Sequence, residues 1–210
     1  MPNQNGSVYG LTILSPIIDD DKATPSHDLQ IRAYLATLPT DQRSPFALTA
    51  GTHLCRLVVM DDVIFVGSPA REEHLKSKYL VFETNCDSDP NTYLTGLAKT
   101  IPQQLDAIWS HCVGYPGTAN LAEFIAYMKA CQLETTFFFA AVNDKSLPES
   151  LRALATQRAA ADFIATHQGA DPQSLQADFK QLLAELKACP IPEPGAMAPL
   201  REIKTGGRNE

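Results

Sequence analysis

Residues 52–60, THLCRLVVM, leave the chain little choice of fold, because both faces of the strand they would form are apolar and both need a cover. Side chains alternate along a strand, so His53, Cys55, Leu57 and Val59 share one face while Leu54, Arg56 and Val58 share the other. Residues 134–142, ETTFFFAAV, read the same way. Helices can cover one side of such a sheet. The second side needs solvent-tolerant residues, more chain or another subunit.

The other elements follow from spacing and punctuation. Residues 8–15, VYGLTILS, suit a strand that Pro16 interrupts. In residues 24–38 Thr24 can cap and Pro25 can take the first helical position, with Ile31, Leu35 and Leu38 at helical spacing. After residues 52–63 comes a polar connection, GSPAREEHLKSK, and then a second β-rich run, KYLVFETN, so the two runs are expected to pair antiparallel. From Asp89 to Cys112 the pattern is helical, cut in two by Pro102, and Leu121, Phe124, Ile125 and Met128 mark a further helix.

The resulting order, strand, helix, strand, strand, helical segment, strand, is that of a ferredoxin-like α+β domain, a split βαβ sheet with helices on one face. That domain is expected over residues 1–145. A helical C-terminal extension packed on it is expected over 146–188. There Ser146 and Glu149 form a capping box, and Asp171 with Pro172 opens a helix bearing Leu175, Phe179, Leu182, Leu183 and Leu186. Residues 189–210 are a Pro- and Gly-rich tail that wraps across a surface or frays. The two-sided strands point to a homodimer with facing sheets, for which the C-terminal helices are the competing cover.

Composition removes several function classes. With 210 residues, 44% of them hydrophobic, the chain has enough apolar side chain for one substantial core without disulfide staples. A net charge of −7 without a Lys/Arg cluster excludes non-specific nucleic-acid binding. The opening MPNQNGSVYGLTILSPIIDDD has no basic region and only a short apolar run, so neither a signal peptide nor a membrane anchor is expected, and the location expected is cytoplasmic. Cys55, Cys86, Cys112, Cys131 and Cys189 show no CxxC spacing and read as reduced thiols.

The order of elements over residues 8–142, with the runs HLCRLVVMDD, YLVFETNCDSD and AIWSHCVGYPG, resembles the dimeric α+β-barrel superfamily. Within it the chain resembles a bacterial family without an assigned activity. The superfamily includes small monooxygenases, chlorite-dismutase-like proteins and dye-decolourising peroxidases. The resemblance implies a ferredoxin-like dimer around a largely apolar cavity. The GxxDG motif of the peroxidase branch is absent from this sequence.

Candidate chemistry lies in two places. In the strand, His53 can transfer protons and Arg56 can hold an anion with its planar fork. As neighbours on opposite faces, they are not expected to line one pocket. The simpler reading has His53 held by a backbone carbonyl and Arg56 paired with a carboxylate such as Glu83. In residues 110–117, SHCVGYPG, a rigid Gly/Pro turn can present His111 as a ligand or general base and Tyr115 as a hydrogen-bond donor. The simpler reading there is a helix stop with His111 at the helix dipole. Cys112 and His111 point about 100° apart on a helix and make no nucleophile–base pair.

The five histidines, His27, His53, His74, His111 and His167, give no metal-binding spacing, so no metal site is expected. Asp19–Asp21, Asp87 and Asp89 read as turn and cap residues rather than a calcium loop. Trp109 and Phe137–Phe139 are either walls for a ligand or core. The leading expectation is a small-molecule-binding or oxidoreductase-like protein with an apolar ligand; its catalytic candidates are His111, His53 and Tyr115, and its ligand-binding candidates Arg56 and Trp109. The alternative is a non-catalytic interaction or scaffolding module. Enzyme status, substrate and cofactor are left open by the residues, with haem and flavin the cofactors to try first.

Overall fold

The computed structural model describes residues 3–63, 68 and 74–196. They form a mixed α+β fold with a four-stranded antiparallel sheet and six helices. The strands are β1 (Gln4–Asn5), β2 (Val8–Pro16), β3 (Thr52–Met60) and β4 (Tyr79–Cys86), in the order β1-β2-β4-β3. β4 lies between β2 and β3 and is antiparallel to both, so β2 and β3 run parallel with α1 (His27–Leu35) between them in the chain. Half of the polar connection between β3 and β4 lies outside the described residues.

Alternation decides which side is core. Leu11 and Ile13 of β2 and Leu80, Phe82 and Cys86 of β4 are buried on one face, with Cys55 and Leu57 of β3 packed beside them. Against this face pack Ile31 of α1, Tyr93, Leu94 and Leu97 of α2 (Pro90–Thr100), Leu105, Ile108 and Trp109 of α3 (Pro102–Trp109), and Phe124 and Met128 of α4 (Leu121–Ala130). The caps follow the sequence. Asp89 accepts from the amides of Asn91 and Thr92, and Asn120 accepts from those of Ala122 and Glu123. Pro102 starts a new helix after Ile101, whose ψ of 45° ends the previous one. α1 begins later than expected, with Ser26 rather than Thr24 at its N-cap.

On the other face, register aligns Leu14, Val81 and Val58 in one cross-strand row and Thr12, Glu83 and Arg56 in the next. Leu54 and Val58 are 55% and 45% exposed. The second side of β3 is therefore largely open.

Residues 134–142 do not form the expected strand. After α4 the chain touches β2 through a single bridge, Gln132 to Ile13, and the Leu133 amide donates to Thr12 at 2.9 Å. Further along, the place beside β2 is taken by β1, which folds back at Gly6–Ser7, and the amide of Thr135 is diverted to the side chain of Asn3. Phe138 then lies over Gly10, so close that a β-carbon there would sit 2.7 Å from its ring. Phe137 is left 83% exposed.

The C-terminal helices α5 (Leu147–Thr166) and α6 (Pro172–Ala188) form as expected, with the Ser146/Glu149 capping box in place. They are not packed on the sheet as expected. Among the described residues Leu151 is the only buried side chain of α5, and α6 has none. Phe163 and Phe179 meet between the two helices at 5.8 Å. Leu154, Ile164 and Leu183 face outward.

Candidate functional site

β3 is an outer strand, and its free edge faces the chain between α1 and the 3-10 turn Pro45–Leu48. Between them lies a cleft of about 450 Å³. Leu35, Leu38, Phe46 and Leu57 form its apolar walls, and His53 and Arg56 line it together. The expectation that these two residues could not share a pocket is corrected here. The cleft runs along the edge of the strand and so collects side chains from both faces, and the pairing with β4 is irregular between Thr52 and Leu54, which puts His53 out of the alternation.

His53 is held by a carboxylate, not by the backbone carbonyl expected. Its Nε2 faces Asp87 Oδ1, with both side chains about four-fifths buried. A carboxylate only accepts, so Nε2 carries the proton and Nδ1 is the ring nitrogen left over. Asp87 is fixed in turn. Its amide donates to the Gly51 carbonyl at 3.1 Å, and its Oδ2 accepts the amide of Leu147, the first residue of α5, at 2.7 Å. Gly51 has φ +77°, and a β-carbon there would sit 3.1 Å from that of Asp87. The glycine lets the two turns close on each other.

Arg56 pairs with Glu83, the residue opposite it on β4, as its simpler reading has it. The pair is largely exposed and contributes little stability. Cys55 is no nucleophile, since burial pushes its thiol up to about 12.

The other candidates lie elsewhere. Trp109 is fully buried, its indole N–H donating to Ser15 Oγ at 3.2 Å. Tyr115 donates to Asp106 Oδ1 at 2.8 Å, and Asp106 also accepts from the amide and hydroxyl of Thr118, both at 2.9 Å. Asp106 thus clamps the GYPG turn onto α3, and burial with the neighbouring carboxylate raises the Tyr115 phenol. His111 meets His27, with the two Nδ1 atoms 2.9 Å apart. Neither lines the β3 cleft. Among the described residues no three His, Cys, Asp or Glu side chains gather as a metal site.

The His27–His111 contact needs a proton on one Nδ1 only, because two N–H groups would face each other if both rings were protonated. Burial, and then the His27 charge, lower the His111 pKa. Its folded value lies below the unfolded one, so the unfolded chain binds more protons as pH falls through about 6.5, and stability falls with it. Urea midpoints are expected to drop between pH 8 and pH 5, and His111→Gln is expected to reduce that drop. An unchanged drop in the variant contradicts this role for His111.

A second apolar hollow, about 590 Å³, lies at the turn between α5 and α6, lined by Phe163, Leu175 and Phe179. His167 is spent there, stacked on Phe163 and facing Asp178 at 3.3 Å. The β3 cleft has the better chemistry, an apolar body with a fixed polar group at its end.

The chain is thus an α+β protein with a cleft along an outer strand. Comparisons with protein-family models, with curated proteins and with solved structures give no match. No helix among the described residues is long and apolar enough to cross a membrane.

Asp87 is the site residue that sequence reasoning missed, since NCDSDPN reads as a turn. Antiparallel pairing alone sets Asp87 opposite Gly51, and His53 reaches Asp87 at the irregularity between Thr52 and Leu54, for which the sequence carries no mark.

Proposed function

We propose that the chain is a small-molecule-binding protein of the ferredoxin-like, dimeric α+β type, with its ligand in the cleft along β3. The observation that carries this reading is His53, backed by Asp87, at an apolar cleft walled by Leu35, Leu38, Phe46 and Leu57. Nδ1 of His53 would accept a hydrogen bond from a ligand hydroxyl or, in an oxidoreductase-like reaction, take its proton. Arg56, at the open side, would meet an anionic group.

2-Naphthol, an apolar body with one hydroxyl, tests the reading by fluorescence titration. His53→Ala is expected to weaken its binding by about tenfold or more, the worth of a buried hydrogen bond to a charged or strongly polarised group. Equal affinity in the variant, or no uptake by the parent chain, removes His53 from the site.

The open row Leu14, Val81 and Val58 supports a homodimer through the outer face of the sheet. Light scattering at micromolar concentration is expected to give twice the chain mass, and the mass of one chain counts against it. A second reading, an interaction module, is favoured by the apolar side chains that α5 and α6 leave uncovered. Under it Phe179→Asp would abolish partner binding and His53→Ala would not.

A further inference from the structure

The Ile17 amide donates to the Lys78 carbonyl at 2.8 Å, next to the Pro16 and Tyr79 pair, so even-numbered residues of β4 turn their backbone groups to β2 and odd-numbered ones to β3. Glu83, Val81 and Tyr79 oppose Arg56, Val58 and Met60. Cys55, Leu57 and Val59 therefore turn their backbone groups outward, at the free edge of the sheet. The Val59 carbonyl is taken by Arg32 Nη2 at 3.0 Å. Among the described residues no hydrogen bond reaches the amides or carbonyls of Cys55 and Leu57 from that side.

The cleft follows this stretch of edge, since every residue from Thr52 to Leu57 lines it. About 450 Å³ of space thus lies beside two outward amides and two outward carbonyls at the repeat of a strand. An extended peptide carries the matching groups at the same repeat.

The side chains of such a peptide would meet two different surroundings. A residue opposite Cys55 or Leu57 points to the core face, where Leu35, Leu38 and Phe46 form the wall. A residue opposite Arg56 points to the outer face. There the row Thr12, Glu83, Arg56 ends in a guanidinium whose Nε bonds Glu83, and whose Nη groups have no hydrogen-bond partner among the described residues. A carboxylate is the favoured next member of that row.

The chain's own Pro194 and Gly195 border the cleft without filling this place. The Ala196 amide donates to the Glu193 carbonyl at 3.1 Å, so the segment turns there and does not pair with β3. Residues 197–210 lie outside the described residues.

We propose that the cleft takes an extended peptide segment of apolar, acidic, apolar pattern, added antiparallel to the edge of β3. The two apolar residues lie opposite Leu57 and Cys55, bond the edge through their backbones and fill the cleft with their side chains. The acidic residue lies beside Arg56, with its own N–H turned to solvent. The proposal rests on the cleft being the binding site proposed above, and it names the class of ligand that the edge selects.

The test is a titration of the isotope-labelled full chain with acetyl-Leu-Glu-Leu-amide, and with forms of it N-methylated at the first leucine or at the glutamate, followed at the amide resonances. The unmethylated peptide is expected to shift Cys55 and Leu57. Methylation at the leucine removes a donor that faces the edge and is expected to weaken binding at least about tenfold. Methylation at the glutamate is expected to leave binding within a few-fold. Acetyl-Leu-Lys-Leu-amide is expected to bind several-fold more weakly than the glutamate peptide, and equal binding overturns the acidic assignment. If both methylated forms bind alike, or the glutamate form is the weaker, the antiparallel strand addition is overturned. Cleft shifts from 2-naphthol with none from the peptide overturn the peptide and leave the cleft as a small-molecule site. No cleft shifts from either ligand overturn both readings.

Discussion

Trp109→Ala is expected to lower the free energy of unfolding by about 3–5 kcal/mol, the range for truncating a large buried aromatic. Trp109 is fully buried at the end of α3, edge-on to Phe82 of β4 with ring centres 5.5 Å apart, so it ties the helical layer to the middle of the sheet. The loss has two parts. The cavity forfeits dispersion contacts that the neighbours cannot restore by collapsing, and Ser15, itself fully buried, loses its indole partner. Trp109→Phe separates them, since it keeps most of the volume and takes the indole donor from Ser15, and it is expected to cost about 1–3 kcal/mol. Urea unfolding of the two variants checks the pair. A loss below 1 kcal/mol for the alanine variant would mean that α3 does not close the core.

Asp87→Ala is expected to cost about 2–4 kcal/mol and to weaken 2-naphthol binding at least as much as His53→Ala does. One carboxylate serves two donors: the ring N–H of His53 and the first amide of α5 at Leu147. Removing it leaves both donors without that acceptor, and it frees the ring to turn its nitrogens away from the cleft. Asp87→Asn keeps one acceptor oxygen, so it is expected to fall between alanine and the parent in stability. If Asp87→Asn and Asp87→Ala both bind 2-naphthol like the parent, the carboxylate does not orient His53.

β2, β3, β4 and the six helices were legible because each is set by residues close together in the chain. Asp89, Asn120, Ser146 and Asp171 each cap the helix that follows, and Pro102 divides α2 from α3. The failure at residues 134–142 has a different origin. Three consecutive phenylalanines carry strong β propensity, but propensity does not reserve an edge to pair with, and β1 occupies that edge from the other end of the chain. The hairpin that places β1 there had its own mark, Gly6–Ser7, with the glycine at φ +60° in the first turn position.

Arg56 and Glu83 could be paired from the two strands alone, whereas the partner of His111 could not. His27 is 84 residues away, at the start of α1, and only the packing of α1 beside α3 brings the rings together. The cleft was hidden for a similar reason. Its walls come from the end of α1, the 3-10 turn, the edge of β3 and Pro194–Gly195 beyond α6, four segments that share no periodicity. Alternation along β3 argued against a joint role for His53 and Arg56, and it failed because an outer strand has a side as well as two faces.

The central claim, that the β3 cleft is the binding site, is tested most directly by mapping 2-naphthol onto the amide resonances of the isotope-labelled full chain. The account predicts saturable shifts clustered at Leu35, Phe46, His53, Cys55 and Leu57, lost in His53→Ala. Shifts confined to Phe163, Leu175 and Phe179 at the turn between α5 and α6, with the cleft unmoved, would contradict it.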